Sequence, residues 1–524
     1  MKKIILSLQF LLIFFVIGCY EDKGNYDYKD IQSFEIDFGD FKGDGLVMGD
    51  TIDIKPVFKG KSEIDETHLT YKWTLNDKTK EGWDQKNMFW ITNEIMKYST
   101  LVLEVTDTRN GMVYMSSARI AVASPYDNTG WMVLSEKNGK SVLSLVAYKE
   151  TEWTPDYSQV LVKELKVYHD VYALENNGES MGNNPIGFYE HFCDDPTTKG
   201  QFIVFQDNSV DVNGQTFKKE INLSDAFVDG AYPSGVKIVN GFFMDYLDLI
   251  TDQNGKIYTR IKSTDKLFHS NYFLPSPIKF EGEVLEECEP IIAPGANSKY
   301  VLLHDANKGR MLVMMDGDIA YGDDKMRNAG KIIALDEVSD APENFVQLNN
   351  LDGYEVVSIQ YWRQCDNSYL MLLKNKETGK YLLQSFDLDR SYGSIILNIK
   401  NTQVFDLGTL EEEPSIMTVP PYDNSYYVFF SIKNKLYLYD RENPNLGLKL
   451  YYEFPSNIAS MNAETYRNRH MAVALEDGKF YLMNIVNAKN LEMDKRVMIK
   501  TNDDDDLGHI IKVFCKIGHG NDWS

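Results

Sequence analysis

Cysteine is scarce in this chain. The 524 residues carry five, at Cys19, Cys193, Cys288, Cys365 and Cys515, with no CxxC pair among them. Such spacing excludes a disulfide-dense scaffold and a cysteine-ligated zinc module. Cys193, Cys288, Cys365 and Cys515 read as separate buried thiols, with any disulfide pairing left open. Histidine is also sparse, at eight residues, and no HExxH or other zinc spacing occurs. His191-x-Cys193 and Cys515-x-x-x-His519 are isolated pairs, so no metal site is expected. Basic residues are outnumbered, 54 against 78 acids, for a formal charge of −24. That balance argues against nucleic acid and anionic lipid surfaces, which call for basic patches. Glycine-rich phosphate loops and dinucleotide fingerprints are missing too, and no cofactor is implied.

No apolar run is long enough to span a bilayer. The longest, Ile4 to Ile17, is about 14 residues, where a spanning helix needs roughly 20. It follows Lys2 and Lys3, and so has the layout of a secretory leader. It ends in Val16-Ile17-Gly18-Cys19, which resembles a bacterial lipobox with cleavage between Gly18 and Cys19. A cysteine is required there because a thiolate is the group that accepts the lipid. Residues 1–18 are thus expected to be a leader and 19–30 a lipidated tether. Losing Lys2 and Lys3 takes the formal charge from −24 to −26. Glu21 and Asp22 directly after Cys19 resemble an export signal for the outer face of the outer membrane; an ordinary solvated linker is the alternative.

What the chain has in quantity is short β pattern. From 31 to 125, alternation appears in Phe34–Phe38, Thr51–Phe58, His68–Leu75, Thr100–Thr106 and Met112–Val122. Strands of this length between Gly and Asp turns predict a β-sandwich, with Trp73 in its core.

From about residue 128 onward one unit recurs: an apolar run, a polar turn, another apolar run. The turns fall at Asn138-Gly139, Asp207-Asn208, Asn254-Gly255, Lys308-Gly309, Thr378-Gly379, Lys433-Asn434 and Asp477-Gly478. Asn-Gly and Asp-Gly supply the positive φ of tight hairpins. Hairpins at spacings of roughly 45–70 residues are the mark of a propeller, each forming the two inner strands of a four-stranded blade. Buried on both faces between neighbours, those strands read as continuous apolar runs. Seven hairpins predict seven blades over 128–524, with six or eight as alternatives. Ile510–Cys515 is expected to close the ring by pairing with the first blade.

Asp22-Lys23-Gly24-Asn25-Tyr26-Asp27-Tyr28 beside Cys19, then Leu69-Thr70-Tyr71-Lys72-Trp73, then Gly130-Trp131-Met132-Val133-Leu134-Ser135, resembles the PKD-like family lipoproteins of Bacteroidetes. The resemblance implies an all-β protein, a PKD/Ig-like sandwich followed by a propeller. It also implies an accessory surface lipoprotein working with a SusC-like TonB-dependent transporter and a SusD-like lipoprotein. The family brings no catalytic residues with it.

Candidate chemistry in the sequence is thin. Gly178-Glu179-Ser180-Met181-Gly182 fits G-x-S-x-G, but a nucleophile elbow needs a strand before it and a helix after it. Asparagines flank this one, so a loop is expected. Asp503-Asp504-Asp505-Asp506 lacks the alternation and glycine of a calcium loop, and reads as a solvated run. Axial carboxylates of a propeller hydrolase cannot be assembled from sequence. Three functions follow as expectations. The first is a non-enzymatic binding or docking subunit for oligosaccharide or oligopeptide uptake. The others are a surface hydrolase and a purely structural subunit of the transporter complex.

Overall fold

The computed structural model describes residues 31–127, 130–156, 159–191, 201–244, 246–261, 272–291, 300–317, 328–363, 368–390, 397–420, 426–464 and 470–516. The leader, the tether and Cys19 lie outside the described residues, as do Gly18, Glu21, Asp22, Cys193, Cys365 and His519. Two compact units emerge, one ending at Pro125 and one beginning at Tyr126.

The first unit is a β-sandwich. A four-stranded sheet is ordered Leu46–Val47, Met112–Ala123, Met96–Asp107, Leu69–Leu75. Facing it are two pairs, Phe34–Asp37 with Val57–Gly60 and Thr51–Ile54 with Met88–Ile91. Alternation does the sorting: Leu101, Leu103 and Val105 turn inward from one strand, Ile52 and Ile54 from another. All join one core with Phe34, Met88, Trp90 and Ile120. Trp73 is fully buried at its centre, as expected. Its ring stacks on Phe38 at 5.3 Å, and its indole N–H donates to the Gln85 carbonyl at 3.0 Å. The expected single strand Thr51–Phe58 is in fact two strands that pair with different partners. Pro56 stands at the break and has no N–H to give to a ladder.

The second unit is a seven-bladed propeller. The hairpin strands occupy the second and third places of each antiparallel sheet. Phe202–Phe205, Tyr300–Leu303 and Met471–Leu475 are buried at every residue. The turns form as the dipeptides require: Asn138 and Gly139 have φ of 55° and 75°. Six sheets have four strands; the third, Ile238–Phe243 to Ile257–Ile261, has three among the described residues.

Closure comes from the C-terminal end. His509–Cys515 joins the first blade as its innermost strand, antiparallel to Gly130–Lys137, with Val513 opposite Val133 and Cys515 opposite Trp131. The innermost strands then follow one another in a ring: His509–Cys515, Gly187–His191, Ile238–Phe243, Cys288–Ile291, Tyr354–Arg363, Ile416–Thr418, Ile458–Ala463, and back to the first. Side chains stitch their edges together. Ser460 and Asn462 accept from the backbone N–H groups of Val513 and Cys515 at 3.0 and 2.9 Å, and the Thr418 hydroxyl donates to the Met461 carbonyl at 3.3 Å.

Candidate functional site

A propeller offers chemistry at its axis, where the innermost strands present side chains to a shared channel. Two charges stand out there. Lys512 interrupts the apolar run Ile510–Cys515, and Glu289 interrupts Cys288–Ile291. Both side chains reach solvent. Both are nonetheless crowded. Burial pulls the Lys512 ammonium below the ordinary lysine range, and the Glu289 carboxylate offsets this only in part. Burial likewise pushes Glu289 above the usual carboxylate range, with Lys512 pulling the other way. Both stand on the innermost strands of their blades, where protein surrounds them although they reach solvent. Their strands stand three blades apart in the ring, so it is the axis that brings the two fields together. Neither group has a hydrogen-bond or ion-pair partner among the described residues.

The end of the ring where each outer strand passes to the next innermost strand carries three acidic runs. Glu286-Glu287 precedes Cys288–Ile291, Glu411-Glu412-Glu413 precedes Ile416–Thr418, and Asp503–Asp506 precedes His509–Cys515. Several of these acids are tied down. Lys256 meets Glu286 at 3.1 Å, Lys433 meets Glu412 at 2.8 Å, Lys137 meets Asp506 at 2.9 Å and Lys500 meets Asp503 at 3.1 Å. Glu287, Glu411 and Asp504 have no such partner among the described residues. A cleft of about 310 Å³ opens beside the aspartate run, lined by Lys137, Ser144, His169, Asp170, Asp504 and Asp506. Its His169 stands 3.7 Å from Asp505. No group of three metal-ligating side chains occurs among the described residues. The run is a solvated, lysine-countered loop.

Other polar groups are sealed inside. His191 Nε2 lies 3.1 Å from Asp211 Oδ1 within the second blade, and Arg260 Nε donates to Asp248 at 2.7 Å in the third, all four buried. Where the seventh blade meets the first, the Trp131 indole donates to the Tyr148 hydroxyl at 3.0 Å. That hydroxyl lies 3.3 Å from His470 Nδ1, and His470 Nε2 donates to the Val160 carbonyl at 3.0 Å. Glu464 stands 3.3 Å from His470. The chain of donors ends on a carbonyl of the first blade, so it bonds the two blades together. Burial pushes the Cys288 thiol up to about 12, so it is an unreactive packed thiol. Cys288 and Cys515 are both free and buried.

The G-x-S-x-G segment is a loop. Helix Val171–Glu175 precedes it, Ser180 is exposed, and an inner strand rather than a helix follows. Sequence reasoning did not single out Lys512 or Glu289. The available signal was a lone charge inside an otherwise apolar strand at the axial position.

A profile of the PKD-like family matches residues 19–185. The match thus runs past the sandwich into the propeller. Among solved structures the chain is similar to a quinoprotein alcohol dehydrogenase-like protein from Bacteroides thetaiotaomicron, at 12% identity and TM-score 0.38, over 90% of this chain and 95% of that one. It is also similar to apo AztD from Citrobacter koseri, at 10% identity and TM-score 0.36, over 85% and 97% of the two chains. A third likeness is to BamB from Moraxella catarrhalis, at 10% identity and TM-score 0.29, over 70% and 87%. No curated protein matches. The chain therefore carries a PKD-like domain ahead of propeller-like β structure.

Proposed function

We propose that this protein is a lipoprotein anchored through Cys19 to the outer face of the outer membrane. There it serves as a non-enzymatic binding and docking subunit beside a SusC-like transporter and a SusD-like lipoprotein importing oligosaccharides or oligopeptides. The observation that carries the reading is the character of the axis. Among the described residues, the two crowded but solvent-reaching charges without a partner on innermost strands are one base and one acid. Hydrolysis of a glycosidic bond uses two carboxylates, whereas the charge that reaches Glu289 is an ammonium. Nucleophilic catalysis needs a hydroxyl or thiol beside a base, and the exposed Ser180 has none among the described residues. A rigid ring with opposite charges at its centre suits capture rather than turnover.

Capture of the tagged protein from its native outer membrane in mild detergent, with mass spectrometry of what accompanies it, tests the proposal. A TonB-dependent transporter and a SusD-like lipoprotein are expected to co-purify. Recovery of the protein alone overturns the docking role.

A further inference from the structure

Resting on the binding reading above, we propose that the axial channel takes a short peptide or free amino acid with both termini ionised, its carboxylate on Lys512 Nζ and its ammonium on the Glu289 carboxylate. Four observations converge on it. The two groups sit on innermost strands three blades apart and feel each other's charge, yet they form no ion pair. The space between them therefore separates an ammonium from a carboxylate, and a zwitterion of the opposite polarity fits such a gap. Partly desolvated charges gain most from a partner, because the cost of removing water has already been met in the folded protein. A neutral glycan fits less well. Sugars are held by aromatic faces and dense hydroxyl networks, whereas the two solvent-reaching groups here are charged. Finally, the acidic runs lie at the end of the ring where outer strands pass to innermost ones, and Glu287, Glu411 and Asp504, without a partner among the described residues, give that end a negative potential that draws in an ammonium.

The test uses the full chain and an equimolar tripeptide library in three forms: free termini, acetylated at the N-terminus, and amidated at the C-terminus. Peptides retained by the protein through gel filtration are identified by mass spectrometry. The most strongly retained one is then titrated calorimetrically. Free-terminus peptides are expected to be held and both blocked libraries to pass through. Lys512→Met and Glu289→Gln are each expected to weaken binding by about tenfold or more. Both are near-isosteric, and their circular dichroism and thermal midpoints confirm that the ring is intact. Either blocked library retained as well as the free one overturns the proposal, as do unchanged affinities in both variants. Retention of a maltotriose probe in place of peptide, or of nothing, overturns it equally. These readouts need no importer. Failure of the membrane capture therefore leaves them untouched, and their failure leaves the docking role standing.

Discussion

Asp107 closes the long strand Met96–Asp107 of the sandwich, and its side chain is fully buried. The Arg109 guanidinium reaches back to it through two bonds, Nε to Oδ1 at 3.0 Å and a terminal nitrogen to Oδ2 at 2.7 Å. That fork, helped by the Arg109 backbone N–H, holds the carboxyl at about 2 against an ordinary value of 3.8. A carboxyl depressed in the folded state stabilises the fold fully above its unfolded value. That contribution is lost as pH falls toward the folded one. Acid should therefore loosen the sandwich between about pH 4 and pH 2. Hydrogen exchange of peptides from 31–125 in the full chain checks it. Asp107→Asn is expected to raise exchange at neutral pH and to flatten the acid-dependent rise. An unchanged acid profile in the variant would show that Asp107 is not its source.

At the scale of elements, the apolar hairpins were the legible part. Runs such as Tyr369–Leu373 are buried on both faces, so their periodicity is uninterrupted, and Asn138-Gly139 or Asp477-Gly478 mark the reversal. The flanking strands were not legible for the opposite reason. Leu397–Gly408 and Lys449–Glu453 are half solvated at the rim. Tyr354–Arg363 is broken by a register shift after Val356, and Ile458–Ala463 by one after Ile458. Bulges of this kind destroy strict alternation while re-aiming side chains. Lys512 sits just past such a shift on its own strand. The closing strand was foreseen because Ile510–Cys515 stands beyond the seventh hairpin with no partner nearby in sequence. Its removal leaves the edge of Gly130–Lys137 unpaired, a template for pairing with other chains. A chain ending before His509 is expected to self-associate in light scattering. A peptide spanning His509–Cys515, added in excess during refolding, should restore the monomer. A truncated chain that stays monomeric with an unchanged thermal midpoint would remove closure as the source of the ring's integrity.

At the scale of the molecule, sandwich and propeller were both readable, while the axial pair was not. No local pattern links Lys512 to Glu289, because seven blades must first wind into a ring before the two strands share an axis. Each unit also closes its own core. The sandwich cluster draws only on residues between Phe34 and Val122. Units with separate cores unfold as separate cooperative events, and a single two-state midpoint does not describe such a chain. Calorimetry is expected to resolve two transitions, each assignable by substitution. Trp73→Ala empties the centre of the sandwich, and large-to-small changes of this kind cost about 3–5 kcal/mol. It should lower one transition alone. Gly130 serves the other unit. A Cβ there would stand 2.5 Å from the Val146 carbonyl oxygen, in backbone that cannot swing aside. Gly130→Ala therefore forces the first hairpin apart, at about 1–3 kcal/mol, and should lower only the propeller transition. If either substitution moved both transitions by equal amounts, the two cores would be acting as one cooperative unit.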